Sequence, residues 1–369
     1  MPKRHSQATN RRAAGAGYHP AVRYYRRQRP GRAIFTSLAG LLLLLLAGCG
    51  GKGPDAALET YLERLARPLD TPIPELQAQT VPRMPPRREL QLETVPGNLG
   101  ALDFLALTGC EVQITIGKRN SSLGLMATPS QRLLLELEFL QLAPACITTL
   151  RAEGRDALAN DLEQARRQKT AQLPTLIFNA TLASHEYRKL WQVPPLLGDY
   201  PAATSSSVFS ALAAINGATE RWLAGDYRAD NLDFEVQLSE VAKGDGGALL
   251  KALALQAESL ESGNALLERR LQQGPLCRGE FRPAAADIVR TVIEKYFVGA
   301  IQPWSAALGR RQHELLPLIR DLEDQLDSVM PPAYRDWQQQ RNSRIKRWAG
   351  APREHVATLQ DLLDSCEPA

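Results

Sequence analysis

Chemistry in this 369-residue chain would have to come from five histidines, five cysteines and one unusually polar run. His185-Glu186 and His313-Glu314 match the first two residues of a zinc-protease helix, a site that needs a second histidine four residues after the first to place both ligands on one face. Those positions hold Lys189 and Pro317, so neither pair completes the motif. His355 has no partner that spacing identifies, and all three histidines are expected at the surface or near helix ends. There is no Gly-x-Ser-x-Gly elbow and no Gly-rich phosphate loop. Ser121 and Ser122 lack a lysine three residues downstream. The polar run is Lys118-Arg119-Asn120-Ser121-Ser122-Leu123-Gly124. Read as a site, Arg119, Asn120 and Ser121 would hold a small anionic group. Read as structure, it is a turn ending a helix, with Gly124 in the left-handed conformation and the serines satisfying backbone groups. Polar turns outnumber sites, so the structural reading is preferred. A second cluster, Glu220 to Tyr227, ends a helix at Gly225 and carries Trp222 and Tyr227. These could anchor a partner, although packing of Trp222 against the body is the simpler expectation.

The N-terminus is more specific. Its first 32 residues hold nine basic side chains and no acidic one, and residues 33–47 are uncharged and include the run Leu41 to Leu46. This apolar stretch is shorter than the ~20 residues of a spanning helix and suits the core of a secretory signal. It ends in Leu46-Ala47-Gly48-Cys49, which resembles the lipobox of bacterial lipoproteins. That resemblance implies a diacylglyceryl group on the Cys49 thiol, cleavage before Cys49 and several acyl chains on the new N-terminus. Each buried methylene contributes about 0.8 kcal/mol, so two or three chains hold permanently. The alternative is an uncleaved inner-membrane anchor. Gly50, where the retention rule would have aspartate, implies the outer membrane; nearby Lys52 keeps the inner membrane as the second choice. The basic region is long, and a start near Val22 would give a more ordinary signal.

Without residues 1–48 the charge changes sign: 35 Lys plus Arg face 40 Asp plus Glu, a net of −5 instead of +4. No nucleic-acid footprint is left, since that would show as clustered positive charge. In an oxidising periplasm the other four cysteines should pair, and four cysteines allow three pairings. Cys110 with Cys146 and Cys277 with Cys366 are expected, because each pair would staple neighbouring helices in one half of the chain. By the loop-entropy argument each contributes ~4 kcal/mol. No two cysteines stand at zinc-ligand spacing, and no metal or cofactor is expected.

The elements that would position these residues are helical. Asp55 can cap a short helix through Leu58, Leu62 and Leu65 that Pro68 ends, and recurring prolines make residues 68–96 an extended segment lying across the body. Leu133 to Leu142, apolar nearly all round, predicts a central buried helix, and Leu158, Leu162 and Ala165 a more exposed one. Pro174 suits the first turn of a further helix running toward Trp191. Heptad-spaced Leu253, Leu260 and Leu267, and the seam Leu315, Ile319, Leu322, Leu326 and Val329, predict a bundle. Pro283 starts another helix, and the last one lies near Glu354 to Leu363. Val112, Ile114, Ile116 and Phe234, Val236, Leu238 alternate like strands, yet both sets also fit helices, and an isolated pair of strands would be marginal. The expected fold is therefore an all-α multi-helix bundle with a Pro-rich N-terminal segment after a cleaved signal peptide. Its parts are 1–48 (signal peptide), 49–97 (lipidated tether, short helix and Pro-rich segment) and 98–369 (helical domain), in which 198–207 reads equally as a sub-boundary or as a long surface loop.

Leu102-Asp103-Phe104-Leu105 through Gly109-Cys110, Arg119-Asn120-Ser121-Ser122-Leu123-Gly124 and Pro129-Ser130 resemble a proteobacterial lipoprotein family of unknown function. The resemblance implies no activity, cofactor or catalytic residue. The leading expectation is a non-enzymatic lipoprotein, tethered to the membrane through Cys49, that binds another envelope protein. Its rivals are an enzyme acting on envelope polymers through His185, Glu186 or His313, and a carrier of an apolar ligand between helices.

Overall fold

The computed structural model describes residues 53–75, 78–95, 105–202, 204–278 and 281–366. The signal peptide, Cys49 and Leu102 to Phe104 lie outside them. The described residues fall within one compact unit, 51–369, and apart from an isolated bridge between Arg278 and Phe281 their regular structure is helical. Both stretches with strand-like alternation are helices.

Helix α1 (Pro54–Leu69) starts after Gly53, with Pro54 and Asp55 in its first turn. Leu58, Tyr61, Leu62, Leu65 and Leu69 form its buried stripe. Pro68 does not end it: the helix runs one residue further and closes on left-handed Asp70. The proline-rich chain then crosses the body as a strap, interrupted by the single turn α2 (Arg87–Leu90). It has no helical partners for its backbone, so side chains of the body supply them. Ser262 Oγ donates to the Pro74 carbonyl at 3.0 Å, the Gln79 N–H donates to Glu258 at 3.2 Å, and Asn179 bonds both the N–H and the carbonyl of Leu92 at 2.9 and 2.8 Å.

The next elements are α3 (Glu111–Asn120), the short α4 (Ser122–Leu125), α5 (Pro129–Ala152) and α6 (Asp156–Ala180). A capping box between Thr128 and Gln131 starts α5. That helix is long and apolar enough to cross a membrane, but its Leu133, Leu137, Leu140 and Ile147 are buried in the body. Helix α6 passes straight through Pro174. A proline removes one backbone bond, and burial of Leu173, Leu176, Ile177 and Phe178 beside it offsets that loss. The separate helix expected to begin at Pro174 is instead the end of α6, followed by α7 (His185–Leu190), whose cap is Ser184.

Residues 198–202 and 204–206 form a loop within this unit, tied to residues that follow it in sequence. Asp245 and Arg311 form a bidentate pair, Tyr200 donates to Asp245 at 2.8 Å, and Trp304 donates to the Tyr200 carbonyl at 2.9 Å. These contacts pin the loop to the body. Beyond it come α8 (Ser207–Leu223), α9 (Asn231–Val241), α10 (Gly246–Gln272) and α11 (Ala284–Val292). Gly247 lets α10 approach the preceding chain: a Cβ there would lie 2.2 Å from the Gln192 carbonyl oxygen. Helix α11 continues through a wide π-helical segment, Ile293–Ile301, into α12 (Gln302–Gln325). A 3-10 turn, Asp327–Val329, leads to α13 (Pro332–Asp364), which has 33 residues, far more than the Glu354–Leu363 helix expected. The missing turns are polar in sequence because the core position between Trp337 and Ile345 is filled by Arg341.

Arg341 and Glu323 are both fully buried. The guanidinium meets the carboxylate through two 2.8 Å bonds, Tyr334 and Gln338 donate to it at 2.7 and 2.8 Å, and Tyr187 joins Tyr334 at 3.0 Å. Trp191 and Trp337 cover the guanidinium, each with its centroid 4.8 Å away. Burial pushes both phenols well above their ordinary range, so they remain O–H donors. Removing one partner leaves an uncompensated buried charge. Arg341→Met should therefore lose about 3–5 kcal/mol of unfolding free energy in a denaturant titration, and the double variant with Glu323→Leu should recover part of that loss. Equal losses in the single and double variants would show that the pair is not what stabilises this centre.

Both expected disulfides are present, Cys110–Cys146 and Cys277–Cys366. The first ties the start of α3 to α5; the second ties the segment after α10 to the end of α13. A Cys277→Ser/Cys366→Ser variant should unfold at lower denaturant by the equivalent of about 2–5 kcal/mol. An unchanged midpoint would mean that the bridge adds nothing to stability.

Candidate functional site

The polar run after α3 is a tight reversal. Ser121 caps α4, its Oγ accepting from the Gly124 N–H at 3.1 Å and donating to the Lys118 carbonyl at 2.7 Å. Gly124 is not left-handed as expected; it lies within α4. Its lack of a side chain permits close approach, since a Cβ would fall 2.2 Å from the Lys118 carbonyl oxygen. The hydroxyl of Ser121 is thus committed to the backbone.

Arg119 and Asn120 have a different setting. Helices α3, α5 and α6 bring them to a cavity of about 330 Å³ that is also lined by Arg132, Glu136, Gln168 and Lys169. Glu136 stands at its base, with one oxygen 2.8 Å from Arg119 Nε and the other bonded to Lys169 Nζ. Lys169 is buried, and its ammonium lies 4.9 Å from the centroid of the Phe139 ring. Burial lowers its pKa, with Glu136 opposing that shift. Arg132 is half-buried, and its guanidinium makes no ion pair or hydrogen bond among the described residues. It also lines a second cavity of about 560 Å³, which shares Thr94 and Leu176 with the first. Ser121 lies instead on a third cavity, beside exposed Leu123 and Leu232. The proposed trio is therefore split: Arg119 and Asn120 share a site, while Ser121 builds the turn. Sequence reasoning missed Arg132, Glu136 and Lys169. The available signal was Glu136, a charge inside a helix that is apolar on nearly every side.

The histidines divide as well. His185 and His313 are exposed on α7 and α12, and no group of three or more His, Cys, Asp or Glu side chains among the described residues could hold a metal. His355, expected near the surface, is completely buried. It faces α1 and α10, where Tyr61 Oη and Asn264 Oδ1 each lie 2.6 Å from one of its ring nitrogens. The amide oxygen can only accept, so Nδ1 carries the proton and Nε2 accepts from the tyrosine. Tyr61 and Phe297 stand edge-on to the ring at 5.6 and 5.1 Å. Trp222 is also part of the core, stacked edge-on with Phe234 at 5.4 Å and donating to the Arg228 carbonyl, the packing role expected of it.

Burial lowers the His355 pKa from 6.5 to about 4. Between those values the unfolded chain binds a proton that the folded chain does not, so stability is complete above the upper value and lost as pH falls toward the lower. Relative to His355→Gln, the wild type should lose up to about 1.4 kcal/mol per pH unit in that window. Denaturant titrations between pH 4 and 7 test this; a pH-independent difference would place the titration elsewhere.

No curated protein and no solved structure matches the chain. A family model described as protein of unknown function (DUF3080) matches it over residues 58–368, nearly the whole helical body and both disulfides. The chain belongs to this family.

Proposed function

We propose that this protein is an exported lipoprotein, held in the outer membrane by acyl chains on Cys49, whose helical body faces the periplasm and binds another envelope component without turning it over. The supporting observation is the use of the cysteines. Of five in the chain, the four that follow the lipobox are consumed in two disulfides, which leaves Cys49 as the one thiol for acylation. Paired structural cysteines persist in an oxidising compartment, and a lipobox cysteine is exposed to one once its signal has been translocated. Binding is favoured over catalysis because two polar centres of the core are closed on themselves: Glu323 and Arg341 are mutually satisfied, and so are His355, Tyr61 and Asn264.

Intact mass and membrane fractionation of wild type and Cys49→Ala test the address. A wild-type chain beginning at acylated Cys49 in the outer-membrane fraction, and an unacylated variant absent from it, are the expected results. A full-length, unacylated wild-type chain in the cytoplasm would overturn the proposal.

A further inference from the structure

The cavity beneath Arg119 and Asn120 has more positive charge than its own residues balance. Among the described residues Glu136 is its one carboxylate, and Arg119 and Lys169 both bond to it. One positive charge is left over, and Arg132 adds a second that forms no ion pair among the described residues; in the adjoining cavity that it also lines, Arg87 and Glu93 cancel in formal charge. Lys169 is 7 % exposed, so bulk water does little to screen its ammonium. Two uncompensated positive charges at the wall of a half-enclosed cavity match a dianion, and a phosphate monoester carries about −1.5 to −2 near neutral pH. Two of the three cations are guanidinium groups, whose planar forks suit phosphate oxygens.

The space exceeds what a bare phosphate needs. The adjoining cavity of about 560 Å³ also borders Arg132 and is lined by Gln91, Glu93, Thr94, Thr128 and Asn179, polar groups suited to hydroxyls. Leu125, on the first cavity, and Met126, on the second, are 71 % and 85 % exposed. From these features we infer that the paired cavities form a binding site for the phosphate monoester of a sugar or polyol. The phosphate lies among Arg119, Arg132 and Lys169, and the hydroxylated part lies in the adjoining cavity. Such a group is presented either by a soluble sugar phosphate or by the phosphorylated saccharide of a membrane lipid, in which case the acyl chains would meet Leu125 and Met126. The inference does not depend on acylation of Cys49.

The test is titration calorimetry on the mature chain in a non-ionic, phosphate-free detergent, with glucose 1-phosphate, inorganic phosphate, glucose and lipid A as probes. Saturable binding of glucose 1-phosphate is expected, tighter than phosphate alone and tighter than glucose by about tenfold or more. Arg132→Gln should weaken it by about tenfold at an unchanged thermal midpoint, because the side chain has no structural partner, and Arg132→Lys should retain part of the affinity. If Arg132→Gln proves unstable, a rise in the wild-type unfolding midpoint with glucose 1-phosphate serves as the second readout. Tighter binding of lipid A, lost in Leu125→Ser/Met126→Ser while glucose 1-phosphate binding persists, would identify the lipid source; equal affinities would identify the soluble one. No saturation by any phosphorylated probe, or a folded Arg132→Gln that binds as well as wild type, overturns the inference. Since Cys49 processing is measured separately by mass, this failure is distinct from failure of the proposed address.

Discussion

Glu323 and Arg341 sit where the body has no water, and taking each out of water costs several kcal/mol. Their bidentate contact repays that cost only with the full set of donors around the carboxylate and the two indoles over the guanidinium. Those groups come from α7, the residue following it, α12 and α13. A shift of α12 against α13 by a turn would leave a charge unpaired, so the pair opposes other registers between these two helices. Trp337 extends the same centre outward, since its indole N–H reaches the Pro82 carbonyl of the strap.

The strap and the disulfides act on parts of the chain that helix packing leaves loose. A proline-rich segment cannot satisfy itself, and here Ser262, Glu258 and Asn179 supply its missing partners along a path over α10 and α6. One disulfide joins the start of α3 to α5, and the other joins the segment after α10 to the turn after α13. The two restraints are complementary: the strap crosses the surface between elements far apart in sequence, whereas the disulfides close loops of 36 and 89 residues.

The polar centres in the body differ in how well they are satisfied. Around Glu323 and around His355 donors and acceptors are matched. Around Glu136 they are not, because two cations share one carboxylate and Arg132 stands apart. Buried charges are as a rule paired, and buried Lys169 shares its carboxylate with Arg119. The contrast sets this cavity apart from other polar sites in the molecule.

Apolar spacing along single segments is a local property, and so the all-α class, the helices over Val112 and Phe234 and the buried character of α5 were legible in the sequence. The disulfide pairing was legible too, because only one of three pairings kept each bridge within its own half of the chain. Membership in a family of unknown function fits the resemblance to an uncharacterised family. The extent of α13, the continuity of α6 through Pro174 and the burial of His355 were not legible. Each depends on partners far away in sequence: Glu323 for Arg341, Tyr61 for His355, and the buried residues beside Pro174 that offset its lost backbone bond. A charged or imidazole side chain reads as surface until a counter-charge or acceptor is known to await it inside. Only the folded chain shows that Glu136, 33 residues before Lys169, meets it inside the body and leaves Arg132 unpaired.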